Sequence, residues 1–121
     1  MTYQTLTLDI DDHVARISLN RPDMMNAFNE QLIWDMGEAT QVVREDSQIR
    51  VLVITGEGRG FTAGADLSER DASWTDTQDA LLRGYHPFLK NIIDMPKIVI
   101  GSINGAAAGI GAAVAMACDL R

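Results

Sequence analysis

Ile98-Val-Ile-Gly-Ser-Ile-Asn-Gly-Ala-Ala-Ala-Gly-Ile-Gly-Ala-Ala-Val-Ala-Met-Ala-Cys118 contains no charged residue. It is longer than the ~18 apolar residues that mark a candidate membrane span. Gly101, Gly105 and Gly109 recur in it at the spacing of tightly packed membrane helices. Its composition points elsewhere. The Ile-Val-Ile start is β-branched, Asn104-Gly105 is a turn signal, and the rest is Ala and Gly with few side chains large enough to face lipid. The stretch therefore reads as a buried strand, a tight turn and a buried helix.

The whole chain agrees with that reading. Its 121 residues, 46% apolar and 22% charged, are about one domain's worth and too apolar for intrinsic disorder. A net charge of −7 argues against a nucleic-acid binder, whose affinity rests on cations meeting phosphates. A small anionic ligand stays possible, because helix N-termini hold anions without net positive charge. The N-terminus has no basic head followed by an apolar run, hence no secretory signal. The single cysteine, Cys118, reads as an inert buried thiol and is compatible with a cytoplasmic location.

Upstream, Leu6, Leu8 and Ile10 alternate, Asp11-Asp12 turns the chain, and Val14 to Leu19 returns it as a hairpin. Asn29 is placed to cap a helix whose apolar face is Leu32, Ile33, Met36, Ala39 and Val43. Val51 to Ile54 reads as a strand covered on both faces. The Gly-rich loop 56–60 follows, and Ser68 to Asp76 reads as a mobile polar surface segment. Helical spacing returns from Leu81 to Ile93, with Pro87 expected to kink or split it, and Lys97 to Ile103 is the next strand. Helices alternating with apolar strands imply a layered α/β arrangement with parallel pairing.

Two places repeat one design: an apolar strand, a small-residue turn and an expected helix start. One runs from Val51 to Ala63-Gly64-Ala65-Asp66, the other from Ile98 to Gly109-Ile110-Gly111. Small residues either serve close packing or let a ligand reach main-chain N–H groups, and two such donors converging on one oxygen form an oxyanion hole. The residues alone leave both readings open. Asp66 reads as a cap for a helix after Ala65. Nucleotide motifs fail: the third fingerprint position is Val114 in one candidate and Phe61 in the other, and no phosphate-loop lysine follows Ile98. His13 and His86 are isolated in sequence, so no metal site is expected.

Leu19-Asn-Arg-Pro22, Asn26-Ala27, Gly60-Phe-Thr-Ala-Gly-Ala-Asp-Leu67, Ile103-Asn-Gly105, Gly109-Ile-Gly111 and Ala117-Cys-Asp119 together resemble, in order, the enoyl-CoA hydratase/isomerase (crotonase) family. The resemblance implies an α/β fold of repeated ββα units forming layered sheets with surrounding helices. Residues 1–121 would be the N-terminal part of one such domain, truncated inside the fold. It implies acyl-CoA thioester substrates, coenzyme A entering as part of the substrate with no separate cofactor, and a homotrimer or dimer of trimers. By motif position, Ala65 and Ile110 would supply the N–H donors to the thioester oxygen. Ala63, Gly64, Asp66, Leu67, Ser68, Ala27 and Gly109 would border the substrate, with Arg21 or Arg59 as local cations.

Two departures carry mechanistic weight. Ile110 stands where the family usually has glycine, and Ala113 where hydratases carry a glutamate. Water addition needs one group to activate water and another to deliver a proton, and alanine does neither. Double-bond isomerisation is therefore favoured over hydration, the other acid/base position lying beyond Arg121. The alternative is a non-catalytic acyl-CoA-binding or assembly fragment.

Overall fold

The computed structural model describes residues 3–69 and 72–121. A hairpin of β1 (Leu6–Asp11) and β2 (Val14–Leu19) opens the chain and is followed by a 3₁₀ turn at Pro22–Met24 and helix α1 (Glu30–Glu45). Next come β3 (Val51–Gly56), the short α2 (Thr77–Ala80), a π-helical turn (Leu81–Tyr85) and α3 (His86–Asp94). β4 (Ile98–Gly101) and α4 (Ile110–Ala117) complete the order. The strands form one sheet in chain order, β1 antiparallel to β2, then β2, β3 and β4 parallel.

The elements form for local reasons. The Asn29 side chain accepts from the Leu32 N–H at 2.9 Å, satisfying one of the free donors that open α1. The five apolar positions expected to face inward on α1 are all buried. Asp35 is buried with them because its Oδ2 accepts from the Thr5 hydroxyl (2.7 Å) and N–H (3.1 Å), tying α1 to the start of β1. Pro87 splits its helix as expected. The wide turn before it places the His86 N–H on the Leu81 carbonyl, which loosens the helix where the proline ring would otherwise meet the preceding turn.

A second set of pairings lies beyond the strand ends. Phe28 pairs with Ala65, and Thr62 with Ala107, each as a single parallel bridge. The chain thus repeats one pattern three times: a long strand (β2, β3 or β4), a residue or two of second-strand pairing, then a helix. These are the repeated ββα units, with the second strand cut to single pairs. Thr62 ties the three repeats together. Its N–H donates to the Ala106 carbonyl (3.1 Å), its carbonyl accepts from Ala108 (3.2 Å), and its hydroxyl donates to the Asn26 carbonyl at 2.7 Å.

Four expectations change. No helix starts after Ala65: the chain turns there, and the next described helix begins at Thr77, capped by Asp76. The last strand is Ile98–Gly101 rather than 97–103: the Ser102 N–H makes the last ladder bond, to the Ile54 carbonyl, after which the Thr55 hydroxyl donates to the Ser102 carbonyl and Asn104 draws the chain over the Gly-rich loop. β3 is covered fully on one face only; Leu52 and Ile54 are buried, whereas Val51 and Val53 are half-buried. The stretch read as mobile surface is anchored over its described part, Ser73 donating through its N–H to Glu30 Oε1 at 2.8 Å. The uncharged run 98–118 divides into strand, loop and an eight-residue helix, and no helix among the described residues is long and apolar enough to cross a membrane.

Thr62→Val keeps the volume but strands the Asn26 carbonyl and the Gly64 N–H, which bonds Thr62 Oγ1 at 3.2 Å. The expected loss is about 1–3 kcal/mol. Urea titration should show a lower midpoint at unchanged slope, with Thr62→Ser losing less.

Candidate functional site

The two strand–turn sites meet through glycine backbones. Gly64 has φ +99° and Gly109 φ +54°, conformations that L side chains rarely adopt. A Cβ built on Gly64 would stand 2.9 Å from the Ala108 carbonyl oxygen and 3.8 Å from Gly109 Cα. The peptide units Gly64–Ala65 and Gly109–Ile110 are therefore neighbours because Gly64 carries no side chain, while Gly109 is needed for its positive φ rather than for space.

Neither of the following amides has an acceptor among the described residues. In the parallel bridge to Phe28, the Phe28 N–H donates to the Gly64 carbonyl (2.7 Å) and the Asp66 N–H to the Phe28 carbonyl (2.9 Å). The Ala65 N–H consequently points to the side away from Phe28. Ile110 is the first residue of α4 and its N–H has no acceptor within the helix. The next two N–H groups of α4 are taken by the Ala108 and Gly109 carbonyls. The helix dipole adds partial positive charge at this end. The Ile110 side chain turns inward against the core cluster, so the bulk at this position finds room without displacing the backbone.

Ala65 and Asp66 border a cavity of about 420 Å³ walled by Phe28, Ile33, Trp74 and Tyr85. Burial, and then the charge of Glu69, push the Tyr85 phenol above its ordinary pKa, so it stays protonated. The carboxylate of Glu69 is engaged elsewhere, its two oxygens accepting from the Glu30 N–H at 3.0 and 3.1 Å. A larger groove, about 1120 Å³, runs along the outside of α1 and α3 and is lined by neither Ala65 nor Ile110.

The other candidate residues divide clearly. Gly64 and Gly109 lie at the junction of the amides, and Asp66 lies at the cavity edge. Ala63 is tied through its N–H to the Met25 carbonyl at 2.9 Å. Ala27 is buried beside Phe28, Leu67 and Ser68 sit on an exposed turn, and Ala113 is exposed one helical turn after Ile110. Arg21 is not a free cation: its guanidinium meets Asp66 Oδ2 at 3.1 Å and donates to the Ala27 carbonyl. Arg59 is exposed. No group of His, Cys, Asp and Glu among the described residues is arranged to hold a metal. Cys118 is buried, and desolvation pushes its thiol up to about 11, as expected of an inert residue.

Sequence reading missed what holds the site. Asn26 is fully buried; its amide nitrogen donates to the Glu57 (2.8 Å) and Gly60 (3.1 Å) carbonyls, and its oxygen accepts from the Arg21 N–H (2.8 Å). Asn104 grips the same loop from the other side, donating to the Gly56 (2.8 Å) and Gly58 (3.0 Å) carbonyls. Both residues stood in the family-like motifs, but nothing local marked them as clamps on a distant loop.

Asp66 does not cap a helix; its carboxylate accepts from the Ser68 hydroxyl at 2.6 Å and N–H at 2.9 Å, and from Arg21. The Ser68 hydroxyl bond, with smaller help from the Ser68 N–H and Arg21, holds the acid below its ordinary value of 3.8. A depressed folded pKa means stability that is complete above the unfolded pKa and lost as pH falls through the folded one. The stability advantage over Asp66→Asn should be flat from neutral pH down to about 5 and should shrink below about 4. Denaturation midpoints across that range check it.

The enoyl-CoA hydratase/isomerase family model matches residues 9–121. A 1,2-epoxyphenylacetyl-CoA isomerase of Escherichia coli is 37% identical over 115 residues, which cover 92% of this chain and 44% of that protein. An (E)-benzylidenesuccinyl-CoA hydratase of Thauera aromatica is 38% identical over 117 residues, 96% of this chain and 45% of its own length. An enoyl-CoA hydratase structure from Bacillus anthracis superposes with a TM-score of 0.87 at 32% identity, covering 98% of this chain and 46% of that one. The chain spans less than half the length of these relatives. With its three ββα repeats and a family match over nearly all its residues, the chain belongs to the enoyl-CoA hydratase/isomerase family, on the crotonase fold.

Proposed function

We propose that this chain binds an acyl-CoA thioester and holds its carbonyl oxygen between the Ala65 and Ile110 N–H groups as that oxygen gains charge in an enolate. The observation that carries the reading is the contact of Gly64 with Ala108 and Gly109, which sets two unpaired amides side by side. Removal of the α-proton moves negative charge onto the thioester oxygen, and preorganised donors stabilise that charge at no reorganisation cost. The cavity beside Ala65 receives the acyl group. The turn 63–68, with Ala27 and Gly109, borders the CoA portion, and exposed Arg59 is the nearby cation in place of Arg21, which Asp66 neutralises.

Isomerisation fits the site better than hydration. Moving a double bond returns the proton to another carbon of the same substrate, so one carboxylate serves, whereas hydration needs two groups and Ala113 supplies neither. The relatives' names include both an isomerase and a hydratase of CoA thioesters. The exposed Met116 and Leu120 support assembly as a homotrimer or dimer of trimers, and the buried free thiol suits the cytoplasm. The competing reading is binding without turnover; it is favoured by Ala113 and by the engagement of both Asp66 and Glu69 with other groups.

Vibrational spectroscopy of butanoyl-CoA labelled at its carbonyl carbon separates these readings. Bound label should show a lowered carbonyl stretch, and where the acid/base residue expected beyond Arg121 is present the α-hydrogens should exchange with D₂O. Gly64→Ala forces a side chain against Ala108 and should cost about 10²–10³-fold in exchange, the value of one oxyanion donor. A bound thioester with an unshifted carbonyl would sink the oxyanion assignment. A shifted carbonyl without exchange would favour the binding module.

A further inference from the structure

Trp74 stands between two spaces. On one side it walls the 420 Å³ cavity that Ala65 opens into. On the other it touches residues that line the 1120 Å³ groove along α1 and α3: its ring centroid lies 5.2 Å from that of Trp34, and the Arg83 guanidinium carbon lies 5.2 Å over it. Ile33 lines both spaces. Beneath the indole is Gly84, where a Cβ would stand 2.9 Å from Trp74 Cη2 and 2.9 Å from Ile33 Cγ2. The indole is thus seated on a residue without a side chain, which brings it down against Ile33 and closes the gap between the two spaces.

The seat is reinforced around its rim. Arg83 is held over the ring by Asp79, at 2.6 and 2.8 Å. Glu30 receives the N–H and hydroxyl of the preceding Ser73 and also the Trp34 indole N–H at 3.0 Å. These contacts engage Trp74 and its neighbours on both sides. An indole tilted against a second ring and covered by a held guanidinium suits a wall that persists when substrate enters.

We infer that Trp74 is the specificity-determining partition of the acyl site, limiting the cavity beside Ala65 to short or compact acyl groups and separating it from the groove along α1 and α3. The inference rests on the reading of that cavity as the acyl site. Beyond the indole the groove offers Val42, Leu82, Leu89 and Ile93, an apolar path for a longer chain once the partition is removed.

The test measures binding of free CoA, butanoyl-CoA and decanoyl-CoA to the full chain and to Trp74→Ala and Trp74→Phe. The native chain should prefer butanoyl-CoA to both free CoA and decanoyl-CoA. Trp74→Ala should weaken butanoyl-CoA, which loses the indole wall, and shift the ratio of decanoyl-CoA to butanoyl-CoA affinity at least tenfold toward decanoyl-CoA, the worth of about two newly buried methylenes. Trp74→Phe should shift it much less. Trp74→Leu, which keeps an apolar cover over Gly84 but shortens the wall, carries the same comparison if the alanine variant does not fold. Equal changes for both acyl lengths, which leave that ratio unmoved, overturn the partition and leave the acyl site standing. A native chain that binds butanoyl-CoA no better than free CoA overturns the acyl site itself, and the partition with it.

Discussion

Thr62 is bonded to all three repeats of the fold, and the site exists because of it. Its backbone takes the Ala106 and Ala108 groups of the third repeat, and its hydroxyl joins the Asn26 carbonyl of the first to the Gly64 N–H of its own. A threonine with both faces of its hydroxyl occupied and both main-chain groups paired has no freedom to shift. The segment after it is therefore laid against the segment after Ala107 at fixed distance, and Gly64 meets Gly109 there. Asn26 and Asn104 complete the frame by converging on the Gly60 carbonyl from opposite repeats, at 3.1 and 3.3 Å. Held by the buried Asn26 amide on one side and the Asn104 amide on the other, the Gly-rich loop has a single path despite its glycines.

A site built from main chain constrains side chains in an unusual way. What matters at positions 65 and 110 is the direction of an N–H, so isoleucine is tolerated at 110 provided its side chain packs inward. What matters at 64 and 109 is the absence of a Cβ. Side chains that move protons are a separate matter, and Ala113, one turn after Ile110, supplies none. Charge follows the same division. The chain is strongly acidic, the half-buried Arg21 at the site is paired with Asp66, and Arg59 is exposed.

The parts of this architecture that depend on neighbours in sequence were legible. The Asn29 cap, the inward face of α1, the hairpin and the division at Pro87 all follow from spacing within a few residues. The ordered motifs also pointed to the Ala65 and Ile110 amides. Contacts across the chain were not legible. Asp66 looks like a helix cap by type and position, yet its carboxylate closes a turn on Ser68 and is tied on its other oxygen to Arg21, far back in sequence. The polar composition of residues 68–76 suggested loose surface, and it hid one tryptophan that docks on α1 and shapes the cavity. A lone aromatic in a polar stretch gives no periodic signal, and its partner glycine at 84 looks like a mere helix weakness.

The uncharged run from Ile98 to Cys118 can be understood on the same terms. In a membrane helix, lipid excludes charge and small residues let helices pack. Here β4 pairs with β3, the loop crosses the Gly-rich segment main chain to main chain, and α4 starts against Gly64. At Gly105 and Gly111 a Cβ would fall within 3 Å of Arg59 and Thr62, so a side chain is excluded there by distance alone. The resemblance to a membrane span is thus a by-product of backbone packing, and the small residues that create the ambiguity are the ones that leave the Ala65 and Ile110 N–H groups open to a ligand.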